Sequence, residues 1–278
     1  MTKFDCGSQQ LPSDELQKYS RHFVDEFLKE VELYPSLDVD LSFYPTHATY
    51  QAETKRPYLG PVHSEKRDNS LTIHICGEGL KGIPLLALQG WLDQELTCCL
   101  MKLQPELYQF NFSKQILTLF PVSGSAVSLL RHMVEHLKYG LKRYLATRMI
   151  IDLGHGLPQV CLYFFKMTPS SEEEDDYQRI IPHNWIRASF LCQKLKEFMS
   201  ISLLADRDIA FSLDLKSIWW KHHEYFMYGD RILLTELANI PNKYLHESYS
   251  SKLIEMFTKL HSYFFAYRNP RMVSEALH

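Results

Sequence analysis

The feature that most constrains this chain is an apolar helical repeat over residues 84–103 with one glutamate inside it. Pro84 suits the first turn of a helix, because its φ is already helical and its missing N–H would have no partner there. Apolar residues then recur at spacings of three and four, which predicts a buried helix. They are Leu85, Leu88, Leu92, Leu96, Cys99, Leu100 and Leu103.

Glu95 lies within this apolar pattern. Residues three and four apart share a helix face, so its neighbours are Trp91, Leu92, Cys98 and Cys99. A carboxylate in such surroundings is costly unless it is paired, hydrogen-bonded or bound to a metal. Two interpretations follow. Glu95 is a buried general base or its remnant, or it tilts to the rim of the helix and meets an Arg or a Lys.

Residues 90–98 read G-W-L-D-Q-E-L-T-C, and this stretch resembles the active-site helix of zincin metallopeptidases, G-x-x-x-H-E-x-x-H. In that motif two histidines bind zinc and the glutamate activates water. Glu95 matches the glutamate, whereas Gln94 and Cys98 stand at the two histidine positions. Glutamine is a poor zinc ligand, and cysteine is a competent one as the thiolate. The resemblance covers residues 14–155 and implies a zincin-like fold of gluzincin type whose usual zinc site has been lost or rebuilt.

The order of the predicted elements agrees with an α+β fold. The patterns indicate a helix from Ser13 to about Val31, strands at 38–44 and 71–76, and a long helix at 125–153. The fold class we predict is a helix–strands–helix–helix zincin-like core with a small mixed sheet, followed by a mostly helical C-terminal region. The strand at 71–76 has two interpretations: an ordinary sheet strand, or one that lies beside the cleft and pairs with an extended peptide.

The remaining segments are assigned by composition. Thr46–Ala52 is predicted as a second strand, 53–69 as an exposed loop or loose hairpin, and 160–167 as a strand or a short buried helix. Residues 168–183 contain a run of acidic side chains and are predicted as an exposed loop. The predicted organisation is therefore a core over 1–167, the acidic loop, and helices over 184–278 that pack on the core to give one compact unit.

A second group of candidate metal ligands lies on the long helix at 125–153. His132, Glu135 and His136 match H-x-x-E-H, which is similar to the inverzincin motif. Histidines one turn apart can share a metal ion. In the gluzincin reading, Glu135 would instead be the third zinc ligand, supplied by the helix that follows the motif. The flanking Arg131 and Lys138 also fit a solvated polar face that binds no metal.

Composition limits the partners. The formal net charge is −3, which gives no general electrostatic case for binding nucleic acid or an anionic membrane. The six cysteines form no C-x-x-C pair, the N-terminal residues contain no apolar signal region, and no apolar run approaches the length of a membrane span. We therefore expect free thiols and a cytoplasmic location. The pattern does not predict an oligomeric state.

The sequence is compatible with three functions. The first is a metallopeptidase-like protein that has lost standard zinc-peptidase activity, needs no cofactor, and binds or scaffolds a protein or peptide partner. The second is an active metal-dependent hydrolase, with zinc held by Cys98 and Glu135 or by His132 and His136. The third is an unrelated α+β interaction protein.

Overall fold

The structure is a computed structural model that describes residues 13–31, 38–55, 57, 60–67, 70–102, 120, 125–167, 171–243 and 248–266. These residues form three strands and ten α-helices. The strands are β1 (Asp38–Tyr44), β2 (Val62–Arg67) and β3 (Ser70–Cys76). The helices are α1 (Ser13–Glu30), α2 (His47–Thr54), α3 (Leu85–Lys102), α4 (Ser125–Asp152), α5 (Gly156–Lys166), α6 (Ser171–Ile180), α7 (Asn184–Asp206), α8 (Ser212–His222), α9 (Tyr228–Lys243) and α10 (Tyr249–Phe264).

The predicted α+β class is confirmed, because a small mixed sheet accompanies a mostly helical chain. The elements with strong hydrophobic periodicity begin and end within two residues of their predicted bounds, which is the usual uncertainty of helix and strand ends. They are α1, β1, β3, α3 and α4. Within the described residues, no helix is both long enough and apolar enough to cross a bilayer.

The prediction of a strand at Thr46–Ala52 is wrong, because this segment forms α2. Thr46 caps the helix: its hydroxyl oxygen accepts the Thr49 backbone N–H at 3.1 Å, and the Thr49 side chain accepts the Thr46 N–H in return. Such a capping box satisfies two N–H groups that would otherwise have no partner. Lys55 then ends the helix in the left-handed conformation, with φ of 55°. Local capping therefore outweighs the strand preference of threonine and tyrosine.

The acidic stretch predicted as a loop over 168–183 contains α6. Glu172, Glu173 and Glu174 lie in its first turn, where negative charge is stabilised by the helix dipole. Tyr177 is fully buried and anchors the opposite face of the helix. The charge run is thus the solvated side of an amphipathic helix rather than a loop. Of the two structures considered for 160–167, the helix is observed, as α5.

The sheet has the strand order β1-β3-β2, with β1 parallel and β2 antiparallel to β3. The central strand is therefore β3, which has a hydrogen-bonded neighbour on each side. The interpretation of residues 71–76 as a strand that could pair with an added peptide is wrong for this reason. β2 is an edge strand of the sheet, and it lies in the 53–69 segment predicted as an exposed loop or loose hairpin.

Residues of the chain group into two compact units, each discontinuous in sequence, whereas the prediction drew a continuous core over 1–167. Unit 1 contains residues 1–105, 145–168 and 203–215, and unit 2 contains 106–144, 169–202 and 216–278. The packing of 184–278 on a core as one compact unit stays a prediction.

The core of unit 1 lies between the sheet and α3. Leu71, Ile73 and Ile75 alternate along β3 and point into this core, where each is at most 1% exposed. Leu88 and Leu92 of α3 are fully buried in the same cluster. Burial of side chains of this size contributes about 1.5–3 kcal/mol each. Apolar residues recur at every second position of β3 and at every third or fourth position of α3. Burial of these two apolar faces against each other packs α3 on the sheet.

Unit 2 contains a buried charge network at the start of α9. Asp230 is fully buried and accepts hydrogen bonds from Arg187 Nε at 2.8 Å and Nη2 at 2.5 Å. The hydroxyls of Tyr177 and Tyr263 also donate to its carboxylate. A buried carboxylate is tolerated when its lone pairs are filled in this way. The network connects α6, α7, α9 and α10 within this unit.

The helices α3 and α5 approach most closely at Gly90. A Cβ atom there would lie 2.2 Å from the backbone oxygen of Pro158, which is far inside van der Waals contact. In addition, the Gln159 amide donates to the Gly90 carbonyl at 2.7 Å. Because Gly90 has no side chain, the two helices can approach each other this closely.

We predict that Gly90→Ala destabilises the protein by about 2 kcal/mol, because overpacking against backbone costs about 1–3 kcal/mol. The helix preference of alanine over glycine, about 1 kcal/mol, acts in the opposite direction and is the smaller effect here. Urea unfolding monitored by circular dichroism measures the change. Gln89→Ala, one position away on the same helix, is the control and should lie within about 0.5 kcal/mol of wild type. Equal or greater stability of Gly90→Ala would show that α3 and α5 are not in contact here.

Candidate functional site

Three consecutive polar residues of α3 point toward different neighbours. Successive residues of a helix are turned by about 100°, so Asp93, Gln94 and Glu95 cannot share one partner. Asp93 contacts His155, Gln94 contacts α5, and Glu95 contacts β2. The zincin-like motif therefore lies where α3 faces three other elements of unit 1.

Gln94 is fully buried and hydrogen-bonded. Its Nε2 donates to the Tyr163 hydroxyl at 3.1 Å, and its Oε1 accepts from Lys166 Nζ at 3.4 Å. The same ammonium lies 4.2 Å from the centre of the Trp91 ring, within the range of a cation–π interaction. The residue at the first histidine position of the motif thus takes part in the packing of α3 on α5.

Glu95 is partly buried and accepts a hydrogen bond from the Ser64 hydroxyl of β2 at 2.9 Å. No Arg or Lys pairs with Glu95 in the described part of the chain. Its neighbour at the second histidine position, Cys98, is partly exposed, whereas Cys99 is buried. The glutamate therefore has a specific partner, which is a hydroxyl on the edge strand rather than a cation.

His155 connects two carboxylates, an arrangement that the sequence did not predict. Its Nδ1 lies 3.0 Å from Asp93 Oδ2, and its Nε2 lies 3.0 Å from Glu30 Oε2. Both ring nitrogens face carboxylate oxygens, so a doubly protonated imidazole can donate to both. The hydrogen bond with Asp93, followed by the charges of both carboxylates, raises the pKa of His155 above its ordinary value.

The Asp93 side chain is fully buried, and its second oxygen has no hydrogen-bond partner among the described residues. Burial raises the pKa of Asp93, although the hydrogen bond with His155 acts in the opposite direction. The imidazolium is thus the counter-charge that makes this carboxylate tolerable. His155 lies between Gly154 and Gly156, and no residue near it in sequence marks the contact with Asp93.

A second polar group covers the sheet face opposite the core. His63 and His74 are cross-strand partners, and their rings stack at 4.7 Å between centres. The Tyr50 hydroxyl lies 3.0 Å from His63 Nε2, and the Tyr44 hydroxyl lies 2.9 Å from His74 Nδ1. Glu65 approaches His74 Nε2 at 3.7 Å. This arrangement explains why α2 packs on a polar sheet face.

The other candidate ligands lie on α4. His132 and Glu135 are exposed, His136 is partly buried, and the two imidazole rings are 6.5 Å apart. Glu135 forms an ion pair with Lys138 at 3.1 Å. Among the residues that the structure describes, no three His, Cys, Asp or Glu side chains are grouped so that they could hold a metal ion. His132, Glu135 and His136 therefore form no such group in the structure, and Cys98 and Glu135 lie in different units, so their pairing stays a prediction.

Replacement of His155 by glutamine should destabilise the protein by about 3 kcal/mol at pH 6, because it leaves Asp93 buried without its counter-charge. The pKa of His155 is raised in the folded state, so its contribution is complete below its unfolded value and is lost as pH rises through the folded value. The difference between wild type and His155→Gln should therefore shrink from pH 6 to pH 8.5 in urea unfolding. His22→Gln, at an exposed histidine that faces Glu26, is the control and should show neither effect.

Glu95→Gln is expected to change the free energy of unfolding by less than about 1 kcal/mol, because an amide oxygen can still accept from Ser64. Glu95→Ala removes the acceptor and should cost more. Thermal and urea unfolding of the two variants, with Ser64→Ala as the matched change on the other side, measure the contribution of this hydrogen bond. A loss of 3–5 kcal/mol in Glu95→Gln, roughly that of breaking a buried ion pair, would instead reveal a cation paired with Glu95.

Comparison with family models, with curated proteins and with solved structures finds no match to this chain. The resemblance to zincins therefore rests on residues 90–98 and on the order of the elements around them. The function must be argued from the geometry of α3 and of the strand that faces it.

Proposed function

We propose that this chain is a metallopeptidase-like protein without zinc-hydrolase activity that binds a protein or peptide partner. The observation that carries the proposal is the environment of Gln94. Its amide is buried against Tyr163 and Lys166, so it is used in packing at the position where the zincin motif needs a zinc ligand. With a neutral amide so placed, Cys98 is the remaining candidate zinc ligand of the motif, because the motif's glutamate acts on water rather than on the metal.

The glutamate of the motif supports a relation to zincins without supporting hydrolysis. Glu95 lies opposite an antiparallel edge strand and accepts a hydrogen bond from Ser64. A general base must be free to take a proton from a bound water. In this chain one carboxylate oxygen of Glu95 is occupied by a hydroxyl instead, which fits a positioning role at the edge of a binding surface.

The edge of β2 is the surface that we assign to the partner. The Cys76 N–H donates to the Pro61 carbonyl at 2.8 Å. This bond shows which alternate residues of β2 are hydrogen-bonded to β3. The backbone groups of Val62, Ser64 and Lys66 then point away from β3, since bonded and non-bonded positions alternate in such a pair. No described strand pairs with this outer side. An extended peptide could add there by backbone hydrogen bonds.

The test of the missing hydrolase activity is metal analysis of the purified protein together with a peptide-hydrolysis assay. We expect zinc well below one ion per chain after dialysis, and no cleavage of a quenched-fluorescent peptide mixture with added zinc. Cys98→Ala and His132→Ala serve as matched variants. Stoichiometric zinc in wild type that is lost in either variant would contradict the proposal and favour the metal-dependent hydrolase.

The test of the binding surface uses peptides selected by wild-type protein from a random library of extended peptides. Lys66→Pro removes an outward N–H without removing a bond to β3, and proline is tolerated at strand edges. We expect binding to weaken by about tenfold, the effect of about 1.4 kcal/mol. Lys66→Ala keeps the backbone donor and is the control. Failure to select any peptide, or equal binding by the proline variant, would contradict strand addition at β2.

A further inference from the structure

The middle of α3 reaches solvent at two residues, Glu95 and Cys98. Every other residue from 90 to 101 is buried, whereas these two side chains are partly exposed. They lie one turn apart and therefore share a face of the helix. The glutamate of the zincin-like motif is thus accessible from outside, although the helix around it is enclosed.

This accessible face of α3 lies beside β2. Of the three strands, β2 is the one that packs most closely on α3. The Ser64 hydroxyl of β2 donates to Glu95 Oε2 at 2.9 Å. Because β2 is an edge strand of the sheet, Glu95 lies next to the backbone groups that would receive an added peptide.

The register of the sheet determines which peptide side chain would face Glu95. Ser64 and Ile73 form a non-hydrogen-bonded pair, so the N–H and C=O of Ser64 point away from β3. In an antiparallel peptide, the residue opposite Ser64 would make both bonds to these groups. Its side chain would lie on the same face of the sheet as the Ser64 side chain, with the two Cβ atoms about 4.5–5.5 Å apart. That is the face on which Ser64 contacts Glu95.

The Glu95 carboxylate is paired with a hydroxyl and not with a cation. Ser64 donates to one of its oxygens, and no Arg or Lys pairs with it in the part of the chain that the structure describes. A peptide added to β2 would exclude water from this side of the carboxylate, which is costly for an ionised group. A basic side chain of the peptide would offset that cost with a charge-assisted hydrogen bond.

We propose that Glu95 selects a peptide with lysine or arginine at the position opposite Ser64. This role rests on the proposed function, in which an extended peptide adds to the edge of β2. Lysine and arginine fit because both stay charged at neutral pH, and because their apolar stems can lie along the face of a sheet. Aspartate or glutamate at the same position would face a like charge and is selected against.

The first test sequences the extended peptides that the wild-type full chain selects from a random library. We expect lysine or arginine at one fixed position when the selected peptides are aligned. Glu95→Lys reverses the charge and should select aspartate or glutamate at that position instead. Glu53→Lys, the same reversal at an exposed glutamate of α2, is the control and should select peptides as wild type does.

The second test is a double-mutant cycle with one selected peptide, measured by fluorescence anisotropy. Glu95→Gln should weaken binding about tenfold, and so should replacement of the basic peptide residue by glutamine. The two changes together should also weaken binding about tenfold, rather than about a hundredfold, because both remove the same interaction. Ser64→Ala keeps the carboxylate and should keep the preference for the basic peptide. Circular dichroism checks that each variant is folded.

Three results would overturn the role of Glu95. They are selected peptides without a basic preference, equal binding by Glu95→Gln and wild type, and a dimer in sedimentation that Lys66→Pro dissociates, which would assign the edge of β2 to a second copy of the chain. In the first two cases, weaker peptide binding by Lys66→Pro would leave the proposed function intact. If no peptide is selected at all, the proposed function and the role of Glu95 fall together.

Discussion

The rest of unit 1 depends on how α3 satisfies three adjacent polar side chains while almost its whole surface is buried. Each needs its own partner, because an unpaired buried polar group costs several kcal/mol. Asp93 recruits His155, Gln94 recruits Tyr163, and Glu95 recruits Ser64. Since these partners come from the segment before α5, from α5 itself and from β2, the polar contacts fix where the neighbouring elements lie around the helix.

Hydrophobic periodicity made the main elements predictable. The apolar spacing over 84–103 and the alternation in β1 and β3 depend on residues close in sequence, and burial of one face follows from them. Thr46–Ala52 was misassigned because a capping box can turn a β-prone segment into a helix. The acidic stretch was predicted as a loop because runs of charge are usually exposed, but the burial of Tyr177 anchors it as α6.

Only the part of the candidate site that lies on α3 could be predicted from the sequence. The neighbours of Glu95 on α3 follow from helical spacing, and Trp91, Leu92 and Cys99 are indeed buried beside it. Ser64 and His155 are distant in sequence, and nothing local marks them as partners. The strand order placed β2, rather than 71–76, at the edge beside Glu95, and such an order depends on pairing between remote segments.

The mixed sheet has a consequence for how unit 1 folds. β2 and β3 are almost consecutive in the chain and antiparallel, so they can pair early, at the rate of a hairpin. β1 is parallel to β3 and is separated from it in the chain by α2 and β2. Pairing of β1 with β3 is therefore slower, because closing this longer loop costs conformational entropy. We therefore expect β1 to join last and to open first, so that its amide protons exchange with solvent while the β2–β3 pair remains protected.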